Sequence, residues 1–200
     1  MKKSQTLDIP QNADRILLHT CCAPCSSAII EFLIKHDITP VIYYCNSNIY
    51  PYEEYLKRKQ ECTRYAESLG LEIIDDDYDH DDWLAWIRGL ESQPERGSRC
   101  MECFRYRLLR SARYAAERGI SVLSTTLASS RWKSLEQINE AGTWACRTVN
   151  ESNTEDNQVI WWDRNWRKGG LQERRNQLIK ENDFYNQLWC GCEFSQKQEK

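Results

Sequence analysis

Cysteine is the residue type with which this sequence could do the most chemistry. The chain contains ten cysteines, and seven of them stand in three short clusters. Thiolates bind soft metals, act as nucleophiles and carry electrons. The clusters therefore predict metal binding or thiol redox chemistry. They are Cys21-Cys22-Ala-Pro-Cys25, Cys100-Met-Glu-Cys103 and Cys190-Gly-Cys192, whereas Cys45, Cys62 and Cys146 stand alone.

The first two clusters have the composition of an iron–sulfur ligand set. Such a cluster commonly takes four thiolates from two separated segments, and the two-residue spacer of Cys100 and Cys103 lets both sulfurs face one metal centre. Zinc is the alternative, since paired cysteines also make tetrahedral zinc sites. The adjacent pair Cys21-Cys22 is unlike the spaced ligands of structural zinc sites, and zinc would not need a third pair. Iron–sulfur ligation is favoured, and zinc stays open.

The third cluster suits a redox role. Cys190 and Cys192 are separated by a single glycine, so they could close a strained, easily reduced disulfide or present two sulfurs to one metal. Near an iron–sulfur cluster, the pair could help to reduce a substrate without flavin or nicotinamide bound to this chain. The alternative is a pair of inert buried cysteines.

Two other groups of residues receive a structural interpretation. His19 lies within a predicted strand, where a histidine more often packs in the core than binds a ligand. The acidic residues between positions 75 and 79 could bind a hard cation, but an acidic loop after a strand is more typically a solvated turn. We expect neither group to be catalytic.

Segments typical of strands and helices alternate along the first 150 residues. Apolar, β-branched runs predict strands, and apolar residues at helical spacing predict helices. Strands are predicted at 15–19, 40–45, 71–75 and 120–127, and helices at 26–35, 52–69, 81–90, 100–118 and 134–149.

This alternation predicts an α/β fold with a mainly parallel sheet. Ligands of such sheets bind beyond the carboxyl ends of the strands, and Cys21, Cys22 and Asn46 fall just after predicted strand ends. We expect one domain over residues 1–200, with an α/β core at about 15–150 and a C-terminal extension at 151–200 that bears the Cys-Gly-Cys pair.

Composition predicts a soluble, cytoplasmic protein. Of the 200 residues, 28% are charged and 40% are hydrophobic, and no apolar run approaches the roughly 18 residues of a membrane span. Residues 1–10 lack the apolar core of a secretory signal. In a reducing cytoplasm, clustered cysteines are more often ligands or redox groups than structural disulfides.

The charges are unevenly distributed. A net charge of −3 argues against indiscriminate nucleic-acid binding. Residues 96–118 nevertheless contain seven arginines against two glutamates, and residues 164–180 contain six basic residues against one glutamate. These stretches could form a basic face for RNA, or they could be solvated helix surfaces.

Longer motifs around the cysteines resemble one known family over nearly the whole chain, from Ile16 to Ser195. Any one cysteine pair would be weak evidence, but together the motifs are specific. The sequence resembles the epoxyqueuosine reductases of the QueH type, the cobalamin-independent kind. The motifs are Leu18-His-Thr-Cys-Cys-Ala-Pro-Cys-Ser26, Asn48-Ile-Tyr-Pro51 with Glu54-Tyr55, Glu95-Arg-Gly-Ser-Arg-Cys-Met-Glu-Cys-Phe-Arg-Tyr-Arg-Leu108, Thr125-Thr-Leu127 with Ser130 and Lys133, and Cys190-Gly-Cys192 with Phe194-Ser195.

The resemblance implies a nucleotide-hydrolase-like (HUP or Rossmann-like) fold and the last step of queuosine synthesis. In that step epoxyqueuosine at the wobble position of the tRNAs for Asp, Asn, His and Tyr is reduced, so the partner would be a tRNA anticodon loop. The electron donor is not identified. By resemblance, Cys190 and Cys192 would be redox-active, and Cys25 is a candidate ligand for a second metal ion, iron or zinc. The [4Fe-4S] ligands would be Cys21, Cys22, Cys100 and Cys103.

Two other classes of protein compete with this interpretation. ATP-dependent tRNA-modifying enzymes of the thiolation type hold pyrophosphate in a Gly/Ser-rich loop after the first strand, whereas residues 20–25 contain no glycine. A zinc-stabilised RNA-binding module would use metal to hold its fold, and would leave Cys190 and Cys192 dispensable.

Overall fold

The computed structural model describes residues 8–154 and 157–195, and these ranges contain five strands and six α-helices. The strands are β1 (Arg15–His19), β2 (Thr39–Tyr44), β3 (Ile73–Asp75), β4 (Val122–Thr125) and β5 (Ile160–Trp161). The helices are α1 (Ala23–Lys35), α2 (Tyr52–Ser68), α3 (His80–Trp86), α4 (Ser98–Glu117), α5 (Leu135–Asn150) and α6 (Leu171–Glu181).

All five strands are parallel and lie in one sheet in the order β3-β2-β1-β4-β5. Helices alternate with strands along the chain, as parallel crossovers require. The predicted α/β, Rossmann-like architecture is therefore confirmed.

The central strand β1 has the composition of a strand that is covered on both faces. Ile16, Leu17 and Leu18 are fully buried in succession, where a strand with one wet face would alternate apolar and polar residues. Each such side chain contributes about 1.5–3 kcal/mol relative to an exposed position. This continuous burial makes β1 a rigid base for the cysteines that follow it.

The sheet changes its winding direction between β1 and β4. The chain runs from β1 outward through β2 to β3, and then returns to place β4 on the other side of β1. At such a switch point the loops after the two strands diverge and leave a crevice. Cys21 follows β1 and Thr126 follows β4, and the Cys21 amide donates to Thr126 Oγ1 at 3.2 Å. The first cysteine cluster therefore lies in this crevice.

Helix α1 begins three residues earlier than predicted. Pro24 lies in its first turn, where a missing amide hydrogen has no cost. The earlier start puts Cys25 inside the first helical turn and Cys22 at the N-cap. Both thiols therefore lie at the positive end of the helix dipole.

The segment after residue 150 contains two elements that the sequence did not predict. Strand β5 pairs with β4, and Trp161 within it lies against Gly142 of α5. A Cβ at Gly142 would come within 2.3 Å of the indole, so only glycine fits there. Helix α6 packs on α1. This segment therefore completes the sheet as well as bearing the Cys-Gly-Cys pair.

The predicted strand at 120–127 ends at Thr125, because Thr126–Ser129 forms a 3-10 turn. The side chain of Thr125 accepts a hydrogen bond from the Leu127 amide and so caps this turn. Helix α3 is also shorter than predicted and ends at Trp86. None of the described helices is long and apolar enough to cross a membrane.

Candidate thiol and metal site

Cys21, Cys22 and Cys25 form a compact group of sulfur atoms at the carboxyl end of β1. Their three sulfurs all lie within 4.8 Å of one another, and those of Cys21 and Cys22 are 3.8 Å apart. The strand end and the first turn of α1 bring them together. Three soft donors at this spacing can hold one metal centre.

The environment favours a thiolate at Cys21. Hydrogen bonds from Cys22 and then from Cys25 lower the pKa of Cys21 well below its ordinary value. The positive charges of Lys133 and Arg107 lower the pKa of Cys21 further. Burial, by contrast, raises the pKa of Cys22.

Side chains from distant segments also reach these sulfurs. Gln187 Nε2 donates to Cys22 Sγ at 2.6 Å, and Thr126 Oγ1 donates to Cys21 Sγ at 3.5 Å. The first contact comes from the segment that precedes the Cys-Gly-Cys pair, and the second from the turn after β4.

Cys100 and Cys103 lie in the first turns of α4, outside the compact group of three. The amide of Arg96 donates to Cys100 Sγ at 3.3 Å. Burial raises the pKa of both thiols, and the negative charge of nearby Cys190 raises the pKa of both further. The structure therefore brings this pair near Cys190, while its ligation of the same metal as Cys21 stays a prediction.

Cys190 and Cys192 are free thiols and lie close to each other. A hydrogen bond from Cys192 and the charge of Lys133 lower the pKa of Cys190 well below its ordinary value, against the effect of burial. The same hydrogen bond and burial raise the pKa of Cys192. Within the pair, the surroundings therefore favour the thiolate form of Cys190 and the thiol form of Cys192.

The segment that holds this pair is fixed by hydrogen bonds to its backbone carbonyls, most of them from arginine side chains. The Tyr50 amide donates to the carbonyl of Gly191 at 2.9 Å. Arg58 donates to the carbonyls of Trp189 and Cys190 at 3.3 and 3.2 Å. Arg99 donates to the carbonyl of Phe194 at 3.4 Å.

The positive charge of Lys133 interacts with both the first and the third cysteine clusters. Burial by itself would lower its pKa, but the negative charges of Cys190, Cys21 and Cys25 outweigh burial and raise the pKa of Lys133. Lys133 belongs to the family motifs quoted in the sequence analysis, where it was given no role. Its position after β4, on the other side of the switch point from Cys21, could have indicated that it lies in the site.

Arg107 is a second cation that sequence reasoning did not place in the site. It is 3% exposed, donates to the Cys45 carbonyl at 3.1 Å and bonds to the side chain of Asn46. Asn46 in turn donates to the Thr20 carbonyl at 2.9 Å. The loops after β1 and β2 are therefore joined beneath the thiols, as expected from the strand-end positions of Cys21 and Asn46.

His19 is a core residue, in line with its structural interpretation. Its two ring nitrogens lie 2.7 Å from Thr125 Oγ1 and 3.1 Å from the Cys45 carbonyl. Burial and then the charge of Arg107 lower the pKa of His19 to about 3. The imidazole is therefore neutral near pH 7, and it joins the ends of β1, β2 and β4.

The acidic residues after β3 are partly paired rather than fully solvated. Asp76 accepts two hydrogen bonds from Arg110, at 2.5 and 3.0 Å, and Asp75 accepts one from Tyr55 at 2.8 Å. Arg174 likewise pairs with Glu31 and Glu181. Three arginines of the two basic stretches, Arg105, Arg110 and Arg174, are thus paired with carboxylates, so only part of each stretch can contribute charge to an RNA-binding face, and that face stays a prediction.

Fold and site together define a parallel-sheet α/β protein with a compact group of three thiols, able to bind a metal, at its topological switch point. Residues 16–198 match the protein family described as Epoxyqueuosine reductase QueH. The chain therefore belongs to the QueH family of epoxyqueuosine reductases, which are oxidoreductases.

Individual relatives agree with the family match. The chain is 45% identical over 189 residues to epoxyqueuosine reductase QueH of Acinetobacter baylyi, which covers 94% of this chain and 84% of that protein. It is 42% identical over 189 residues to the protein of that name from Histophilus somni, covering 94% of this chain and 75% of the relative. The protein of that name from Thermotoga maritima is 31% identical over 183 residues, covering 90% and 89%.

Proposed function

We propose that this chain reduces epoxyqueuosine to queuosine at the wobble position of tRNA, with an iron–sulfur cluster and the Cys190–Cys192 pair as its redox groups. The substrates are the tRNAs for Asp, Asn, His and Tyr. The observation that supports this most is the contact of Gln187, just before the third cysteine cluster, with Cys22 of the first at 2.6 Å, in a chain whose relatives carry the name of this reductase.

The residues present fit an iron–sulfur cluster. The donors are sulfurs, which prefer iron or zinc to hard cations, and Cys21 favours the thiolate form that ligation needs. Lys133 and Arg107, whose charges act on Cys21, would supply positive charge to offset an anionic cluster. Cys25 remains a candidate ligand for a second metal ion, iron or zinc. When bound, the cluster would supply one-electron transfer. The proposed ligands are Cys21, Cys22, Cys100 and Cys103.

Reduction of the epoxide needs two electrons and two protons. Both C–O bonds break, a C=C bond forms and the oxygen leaves as water. The Cys190 thiolate and the Cys192 thiol together hold two electrons and one proton, and they become a disulfide when they release them. The second proton must come from water. Lys133 stabilises the Cys190 thiolate. An electron donor outside this chain must then reduce the disulfide.

We assign the activity to the cytoplasm. All ten cysteines are free thiols in the structure, which suits a reducing compartment. The thiolation alternative lacks support at the switch point, because the loop after β1 holds thiols instead of a glycine-rich phosphate loop.

The direct test is an assay of protein purified without oxygen on tRNA that contains epoxyqueuosine. We expect a brown protein with about four irons per chain and conversion to queuosine, measured by mass spectrometry of the digested nucleosides. Parallel iron, zinc and sulfide analysis separates the two metal assignments. A colourless, zinc-loaded and fully active protein would contradict the iron–sulfur proposal, and a brown protein without conversion would contradict the activity.

A further inference from the structure

Trp132 is the most exposed of the eight tryptophans, of which three are buried. Its exposed fraction is 84%, whereas Trp83 and Trp166 are fully buried and Trp86 is 41% exposed. A large aromatic ring held in water loses the stabilisation that burial would supply, about 25 cal/mol for each Å² of apolar surface. An exposed aromatic with a fixed backbone is therefore a candidate contact for a partner.

The backbone around Trp132 is firmly held. Arg96 donates to the carbonyls of Arg131 and Trp132, both at 3.0 Å. The Trp132 amide donates to Ser130 Oγ at 3.3 Å, and Arg167 donates to the Lys133 carbonyl at 2.8 Å. The indole is thus presented to solvent from an ordered turn.

The surface around the indole is positively charged. Trp132, Arg96 and Arg131 line an open groove of about 540 Å³ together with Glu95. Across residues 8–154 and 157–195, no carboxylate lies within 4.0 Å of the guanidinium groups of Arg96, Arg131 or Arg167. Burial and then the charge of Arg96 lower the pKa of Arg167. Arg96 and Arg131 therefore give the groove positive charge that could bind an anionic partner.

The groove borders the thiol site. The residue after Trp132 is Lys133, whose positive charge interacts favourably with Cys190, Cys21 and Cys25. On the other side, Arg96 contacts Trp132 through its side chain and Cys100 Sγ through its amide. A ligand that rests on the indole would consequently lie next to the reacting groups.

We propose that Trp132 is a stacking platform for an unpaired nucleotide of the tRNA anticodon loop, next to the modified base, and that Arg96 and Arg131 bind its phosphates. This rests on the function proposed above. Anticodon loops present unstacked bases, which aromatic side chains bind by stacking, and phosphates, which arginines bind. A stable complex with a protein partner buries about 800 Å² on each of the two proteins. One indole beside the two guanidinium groups of Arg96 and Arg131 matches the size and charge of a single nucleotide instead.

The test compares Trp132→Ala and Trp132→Phe with Trp86→Ala, which removes another partly exposed indole. The dissociation constant is measured for a fluorescent anticodon stem-loop RNA containing epoxyqueuosine, and kcat and KM are measured on the whole tRNA. We expect Trp132→Ala to weaken binding about tenfold, within the range of one base–aromatic stack. KM should rise accordingly with kcat nearly unchanged, while Trp132→Phe and Trp86→Ala stay within about twofold of the wild type.

The phosphate contact has its own control. Arg131→Gln should reduce the slope of log Kd against log salt by about one, as loss of one phosphate contact does. Arg113→Gln, which removes an exposed arginine near the other end of α4, should leave the slope unchanged. An unchanged slope for Arg131→Gln would remove this residue from the proposed surface.

The outcomes separate this inference from the proposed function. Wild-type conversion of the tRNA combined with unchanged binding by Trp132→Ala overturns the platform and leaves the activity standing. Binding that depends on Trp132 without any conversion supports the platform and overturns the activity. In a third outcome, Trp132→Ala binds the RNA like the wild type and turns over with dithionite as the electron donor, but not with reduced flavodoxin, a protein electron donor. The groove would then be a binding surface for such a donor, and the platform would also be overturned.

Discussion

The first and third cysteine clusters are held in place by different means. Cys21, Cys22 and Cys25 are positioned by regular structure, namely the end of a central strand and the first turn of a helix. Cys190 and Cys192 lie between α6 and the short 3-10 turn Glu193–Ser195. There they are fastened by arginines from other helices that donate to backbone carbonyls.

The difference suits two different tasks. Metal ligation requires sulfurs at fixed separations, which strand and helix geometry provide. A pair that alternates between dithiol and disulfide must change its sulfur–sulfur distance. The segment with Cys190 and Cys192 lies outside the strands, so it can adjust to that change without disturbing the sheet. The comparison therefore predicts that the two regions respond differently to substitution.

The largest effect is expected at Cys21. Cys21→Ala removes the thiol whose pKa is lowest in the compact group, so metal content and turnover should both be lost. Iron analysis, the visible spectrum and the tRNA assay measure this. Cys146→Ala is the control, because Cys146 is a buried cysteine that stands alone on α5 and should keep both metal and activity. Full metal content in Cys21→Ala would contradict its role as a ligand.

Substitution of the C-terminal pair should separate metal from turnover. Cys190→Ser and Cys192→Ser should each keep the visible spectrum and bind substrate tRNA, yet fail in a single-turnover assay, because a dithiol needs both sulfurs to release two electrons. An active variant at either position would defeat the dithiol proposal. Loss of metal from these variants would instead make the pair metal ligands.

A smaller effect is expected from loosening the C-terminal segment at Arg58. This side chain is 2% exposed and pairs with Glu54 at 2.6 Å, so Arg58→Met leaves a buried carboxylate without its positively charged partner, although the Tyr185 hydroxyl still donates to it. Such a loss costs about 3–5 kcal/mol. Urea unfolding should show it, and limited proteolysis after α6 should accelerate.

Lys59→Met on the same helix is the matched control. Lys59 is 31% exposed and pairs with Asp75, which is 37% exposed, and surface pairs of this kind contribute about 0–1 kcal/mol. Equal destabilisation by the two variants would mean that the buried pair does not fasten the segment.

The smallest effect is expected at Gly191. Its φ is +98°, and an added Cβ would lie 2.8 Å from Ile49 Cγ1. Gly191→Ala should therefore cost about 2–3 kcal/mol from a left-handed backbone and overpacking together. Gly169→Ala has a φ of +72° but no neighbour within 4 Å, so it should cost only about 1–2 kcal/mol. Thermal unfolding of both variants measures the difference, and equal shifts would show that contact with Ile49 is unimportant.

Much of the fold was predictable because its signals are local. The buried apolar runs of β1, β2 and β4 identify the sheet, and the position of Cys21 after a strand indicates the site. Strand β5 was missed because two residues carry no periodic pattern and only pairing with β4 makes them a strand.

The site was predictable in its residues but not in their grouping. Cys25 joins Cys21 and Cys22 because α1 begins at Ala23, a boundary that composition does not specify to one residue. The roles of Lys133 and Arg107 depend on long-range packing, which no spacing reveals. For the same reason the paired state of Arg110 and Arg174 could not be read from charge counts.

The position of β1 between β2 and β4 also determines when the nascent chain can bury the thiols that follow β1. The contact of Cys21 with Thr126 spans 105 positions in the sequence. Ribosomes add about 5–20 residues per second, so roughly 5–20 s separate the synthesis of the two ends of that contact. Throughout that interval the first three thiols lack the crevice wall that β4 provides. During this interval, oxidants and metal ions can reach these sulfurs more easily than in the complete fold.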